Sequence, residues 1–142
     1  SQSSCQPKLS PKEVLDIFQN EYVNREDTVK LVECHFKQID GIQAELTILV
    51  NGEKKVYHGQ GNGRLDAISN AIMKHFDIKF SLVTYEEHAL QVGSDSQACA
   101  YVGLEVEGVN GIVWGAGIKS DIIDASAYAL ISALNRSNHM NK

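Results

Sequence analysis

Val56–Ile72 reads VYHGQGNGRLDAISNAI, and a degenerate copy, IVWGAGIKSDIIDASAYAL, returns at Ile112–Leu130. In each copy a short apolar and aromatic run (Val56 and Tyr57; Val113 and Trp114) enters Gly-x-Gly, and a segment of small residues with helical spacing follows. Gly59 and Gly61 match Gly115 and Gly117, while Asp66 and Ala67 match Asp124 and Ala125. The pattern calls for a strand entering a turn that needs either positive φ or a backbone with no Cβ in the way, followed by an exposed helix N-terminus. The repeat predicts a pseudo-symmetric fold.

Upstream of the first copy, apolar residues alternate from Thr28 to Ile39 (Val29, Leu31 and, after a phase shift, Cys34 and Phe36), which predicts a strand. Asp40-Gly41 turns, Ala44–Val50 is a second strand, Asn51-Gly52 is a strong hairpin signal, and Lys55–Gly59 is a third strand. A helix over about Arg64–His75 completes the first unit, residues 28–76. The second unit, residues 77–136, repeats the order. Ile78–Ala89 is extended with Phe80, Leu82 and Tyr85 on alternating positions, QVGSDSQ is a loop, and Cys99–Glu107 alternates. Ile112–Gly117 then leads to a helix over about Ile122–Asn135 capped by Asp121, with Ala125, Ala127, Ala129 and Ala133 keeping its surface narrow. The expected class is α+β, two β-β-β-α units with strands in hairpin order. An N-terminal helix and its connection, residues 10–27, precede them: Ser10 caps, Pro11 opens, Glu13 completes the capping box, and Val14, Leu15, Ile17, Phe18 and Tyr22 form an apolar face. Residues 1–9 form a tail or linker remnant and 137–142 a tail.

With 142 residues, 43% apolar and 22% charged, the chain suits one ordinary soluble core. A net charge of -5 with no basic run beyond two residues leaves no electrostatic footprint for nucleic acid. No apolar run approaches the ~20 residues of a membrane helix, and the first residues lack a signal-peptide layout. Cys5, Cys34 and Cys99 are far apart and odd in number, which predicts free thiols and a cytoplasmic location.

Catalysis finds no foothold. No G-x-S-x-G elbow occurs, Cys34 and Cys99 fall on predicted strands, and His35, His58, His75, His88 and His139 are scattered without HxH or HExxH spacing. GQGNG is neither a dinucleotide fingerprint nor a Walker loop. Two glycine-flanked helix N-termini suit a small anion such as a carboxylate, and equally suit a purely structural corner.

Three motifs in order resemble the C-terminal regulatory domain of 2-isopropylmalate synthase and of the related citramalate synthases. They are Gly61-Asn62-Gly63 before a helix, YEEHAL with GSDSQACAYV (Tyr85–Val102), and VWGAGIKSDIIDASAYALISALNR (Val113–Arg136). The likeness covers about residues 28–136. Arg64 stands where that family often has Pro, and SDIIDAS where it often has TDIVEAS.

The resemblance implies two β-β-β-α units that form a homodimer and bind the end-product amino acid, L-leucine, as feedback inhibitor near the interface. The small and apolar surface of the last helix, Tyr101 and Trp114 agrees with two-fold association. Family effector-binding positions carry over to Asn62, Gly63 and Leu65, to Leu82, Tyr85 and Ala89, to Ser96 and Ala98 after the loop, and to Ile118 in the second turn. Asp95 is either a solvated loop acid or the partner of a ligand ammonium. The resemblance places catalysis in a separate N-terminal barrel that needs a divalent metal; this fragment is expected to hold neither cofactor nor catalytic residues, and so to be an excised domain. Isoleucine sensing in a citramalate synthase, or dimerisation without a ligand, are the alternatives.

Overall fold

A computed structural model describes residues 29–92 and 95–137. The expected N-terminal helix and the tails before and after the domain lie outside the described residues, apart from Ser137. Eight elements follow one another: β1 (Val29–Gln38), β2 (Ile42–Val50), β3 (Glu53–Gly61), α1 (Arg64–Phe76), β4 (Phe80–Val92), β5 (Asp95–Val106), β6 (Ile112–Lys119) and α2 (Ile122–Arg136). They form two three-stranded antiparallel sheets, β1-β2-β3 (sheet A) and β4-β5-β6 (sheet B), each followed by a helix. The α+β duplication read from the sequence is the fold.

Local chemistry sets each corner. Asn51 and Gly52 both take positive φ (53° and 85°), as a tight hairpin whose twist matches its strands requires. The phase shift in β1 is a bulge between Leu31 and Glu33, and an equivalent bulge separates Leu82 from Thr84 in β4. Each bulge resets the alternation, so Leu31, Cys34 and Phe36 share the inner face of sheet A, and Leu82, Tyr85 and Ala89 that of sheet B.

The repeated glycines correct one expectation. Gly59, Gly61, Gly115 and Gly117 lie within β3 and β6 rather than in turns, and none has positive φ. Their role is close approach: a Cβ on Gly59 would strike the backbone of Ala67 and Ala71, and one on Gly115 that of Ala129 and Ala133. The alanine row of α2 is therefore consumed inside the chain, against the glycines of β6. A second correction concerns QVGSDSQ, which is mostly paired strand; Val92 faces Asp95 in register and Gln91 faces Ser96. Long β4 and β5 continue their ladder because hydrogen bonding across the hairpin satisfies backbone groups that a loop would leave to water.

α1 packs on β2, β3 and α2; α2 packs on β5 and β6 and also reaches β1 across the unit boundary. One core results, built from Leu46, Ile48, Ile68, Ile72, Val102, Leu104, Leu130 and Leu134 from both units. Asn135 ties the units together. Its side-chain amide donates to the Val29 carbonyl (2.7 Å) and its oxygen accepts from the Val29 N–H (3.3 Å), substituting for a strand neighbour at the start of β1.

Candidate functional site

The predicted effector residues fall into two groups that one chain does not bring together. The first is the N-terminus of α1. Gly63 caps that helix in extended conformation without a side-chain hydrogen bond, and the Asn62 N–H donates to the Asp66 carboxylate at 3.2 Å. Asn62 is exposed, Gly63 has open space where a Cβ would stand, and Leu65 is half-buried at the edge of the core. The N–H groups of this turn form the positive end of a 13-residue helix.

The second group is the inner face of β4 and β5. Leu82, Tyr85, Ala89, Ser96 and Ala98 share that face, with Ala89 opposite Ala98. Leu82 is 39% exposed, unusual for a leucine on a face that elsewhere forms the core. The Tyr85 hydroxyl is 2.6 Å from the Ser126 hydroxyl on α2 and donates to the Glu87 carboxylate at 3.1 Å. Burial raises the Tyr85 pKa most, and Glu87 adds to the rise while the Ser126 bond opposes it. Ala89, Ser96 and Ala98 also line a cleft of about 290 Å³ with Glu87, Ser120 and Ile122.

Two predicted residues lie elsewhere. Ile118 belongs to β6 rather than a turn, pairs with Cys99, and packs on the reverse face of sheet B with Leu90, Tyr101 and Ala116. Strand pleating puts neighbours on opposite faces, and Ile118 follows the inward Gly117 by one residue. Asp95 opens β5 instead of sitting in a loop.

A second cleft, about 390 Å³, was not read from the sequence. Cys34, Phe36, Arg64, Asp121, Ile123 and Asp124 line it, where the N-terminus of α2 meets β1. Asp121 caps α2 by accepting from the N–H groups of Ile123 (2.8 Å) and Asp124 (3.2 Å). The Cys34 thiol donates to Asp124 at 3.2 Å, and burial, reinforced by that carboxylate, pushes the thiol up to about 12. Cys99, by burial alone, rises to about 11. Neither thiol is a nucleophile near neutral pH. The duplicated register could have found this cleft: Leu31, Cys34 and Ile123 correspond to Leu82, Tyr85 and Leu65 when the bulges and helix starts are superposed.

Residues 8–138 match the family model described as the LeuA allosteric (dimerisation) domain. The chain belongs to this family. The LeuA domain is 46% identical over 129 residues to 2-isopropylmalate synthase of Desulfitobacterium hafniense (strain Y51), covering 90% of this chain and 23% of that protein. It is 43% identical over 138 residues to 2-isopropylmalate synthase of Helicobacter hepaticus, covering 91% and 24%. With the same enzyme of Corynebacterium efficiens it shares 37% over 133 residues, covering 91% and 22%. The chain thus spans about a quarter of the length of the curated relatives it matches. Within the LeuA domain the two clefts differ in one respect: Ile123 and Asp124 at the N-terminus of α2 line the cleft at β1, whereas among the described residues no residue of α1 lines the cleft at β4 and β5.

Proposed function

We propose that this LeuA domain is the dimerising feedback sensor of a cytoplasmic 2-isopropylmalate synthase and that L-leucine binds where the α1 N-terminus of one copy meets β4 of its partner. The observation that supports the reading is the exposed Leu82 on the inner face of β4. Pseudo-symmetry relates β4 to β1, whose inner face is covered by a helix N-terminus from the other unit; a second copy is the source of the matching helix N-terminus for β4. Leu65 would then stand over Leu82, as Ile123 stands near β1.

An isobutyl side chain suits Leu65, Leu82, Tyr85, Ala89 and Ala98, while its carboxylate suits the N–H groups at Asn62 and Gly63, in competition with Asp66. Ser96 and the carboxylate at Glu87 offer polar partners for the ammonium. Ile118 stands on the far face of the sheet, outside this pocket. The domain would transmit occupancy to a metal-dependent catalytic barrel in the full-length chain, and needs no cofactor of its own.

Titration calorimetry with leucine, isoleucine and valine, alongside light scattering, tests the reading. Leucine is expected to bind the dimer best, and Leu65→Asp to weaken it roughly 10²-fold or more by burying a charge beside the ligand carboxylate. Asp27→Asn should change nothing. Tighter binding of isoleucine would move the domain to the citramalate synthases, and a dimer that bound none of the three would be a ligand-free dimerisation module.

A further inference from the structure

The first turn of α2 is held from both sheets at equivalent places. Cys34, just past the bulge of β1, donates its thiol to Asp124 at 3.2 Å. Tyr85, its counterpart past the bulge of β4, brings its hydroxyl to 2.6 Å from the Ser126 hydroxyl. Ser126 is 1% exposed, and its oxygen also lies 2.8 Å from the Ile122 carbonyl. At the other end the Tyr85 hydroxyl is 3.1 Å from the exposed Glu87 carboxylate. Four polar groups therefore run from Ile122 through Ser126 and Tyr85 to Glu87, and both ends line the cleft at β4 and β5.

This row has three links and two hydrogens. Each hydroxyl has one hydrogen to give, while the carbonyl and the carboxylate at the ends only accept. Two hydroxyl oxygens at 2.6 Å require a hydrogen between them, so the middle link is filled and one end goes without. In one arrangement Ser126 donates to Tyr85 and Tyr85 donates to Glu87; in the other Tyr85 donates to Ser126 and Ser126 donates to Ile122. The Glu87 charge favours the first, because a hydrogen bond to a carboxylate outweighs one to a carbonyl that already accepts a helix N–H. Among the described residues no cation pairs with Glu87 to offset that charge.

We propose that Ser126 is a positioning residue of the effector pocket, and that a ligand ammonium on Glu87 turns the Tyr85 proton from Glu87 to Ser126. The inference rests on the effector reading given above. On binding, the ammonium takes over Glu87, Tyr85 donates to Ser126, and Ser126 donates to the Ile122 carbonyl, so each hydroxyl keeps its own hydrogen and only its direction changes. The Tyr85 hydroxyl is spent inside the chain in both arrangements, and what the residue offers the ligand is its ring. Occupancy of the β4 cleft is thereby registered in the turn of α2 that Cys34 holds from sheet A.

The carbon-13 shift of the tyrosine ring carbon that bears the hydroxyl reads this proton at neutral pH in the full chain, with the Tyr85 signal assigned through Tyr85→Phe. Calorimetry with leucine runs beside it. Glu87→Gln should move the Tyr85 signal upfield without ligand, and saturating leucine should move the parent signal in the same direction. Ser126→Ala leaves Tyr85 only Glu87 to donate to, so leucine should no longer move the signal and should bind roughly tenfold more weakly. Equal leucine affinity in the parent and in Ser126→Ala, or a Tyr85 signal indifferent to Glu87→Gln, would overturn the proposal and leave the effector reading standing. A parent chain whose Tyr85 signal responds to Glu87→Gln but which binds no leucine would overturn both.

Discussion

Unit one and unit two share a frame and differ in what they do with it. Both have three strands in hairpin order, a bulge at the same place in the first strand, and two glycines in the third strand that let the helix backbone close in. Yet α1 buries only Ala67, Ile68, Ala71 and Ile72, whereas α2 buries ten residues, including Ser126, Ser132 and Asn135. Unit one keeps one helix side and one sheet face for water. Unit two has its helix between its own sheet and β1, and buries Cys99, Tyr101 and Ala116 on its outer sheet face. The difference teaches that duplication preserved backbone geometry while the surfaces took separate tasks: the centre of the domain for α2, an available helix N-terminus for α1.

The largest effect should come from the glycine contacts. Gly115→Ala forces α2 away from β6 inside a packed centre, at about 3 kcal/mol. Gly59→Ala displaces α1, which can shift toward solvent, and should cost about half as much. Urea unfolding of the two variants measures both; equal losses would mean that the helices are equally confined.

Asn135→Leu comes next. It leaves the buried Val29 N–H and carbonyl without partners and should cost about 2 kcal/mol in the same assay. The corresponding position after α1 is Asp77, a surface cap with φ 53°. There Asp77→Gly should be neutral or slightly stabilising, since glycine accepts left-handed backbone without strain. Matching losses at the two sites would break the asymmetry.

The last effect, confined to alkaline pH, is a pH dependence carried by Cys34, whose counterpart in the other unit is Tyr85. A folded-state pKa raised from 9.0 to about 12 stabilises the fold fully below pH 9, and that contribution is lost as pH rises from 9 toward 12. Cys99, raised to about 11, acts in the same direction. The urea midpoint should fall over that window. Cys34→Ser keeps a donor for Asp124 and should make the fall shallower, and an identical slope in the variant would remove Cys34 as its source.

Much of this was legible in residues near one another in the chain. Asn51-Gly52 announced its hairpin, a phase shift between Leu31 and Cys34 marked the place where the structure has its bulge, and Asp121 announced a helix cap, because each depends on torsions and hydrogen bonds within a few residues. Strand ends were less legible. Ser96 and Asp95 look like loop residues by composition, but pairing with Gln91 and Val92 draws them into the ladder, and propensity yields to a partner strand.

The sequence by itself determined the duplicated β-β-β-α order and the family, since periodicity and motifs are local properties of the chain. Only the tertiary structure decided which of those residues meet. Leu82, Tyr85, Ala89, Ser96 and Ala98 converge on one face, Ile118 is turned to the other, and Asn62, Gly63 and Leu65 stand apart on α1. It also decided that α2 reaches β1 and that Leu82 on the inner face of β4 stays exposed. The physical reason is that a pattern specifies which side of an element is apolar, whereas the choice of partner for that side depends on how all the layers pack around one core.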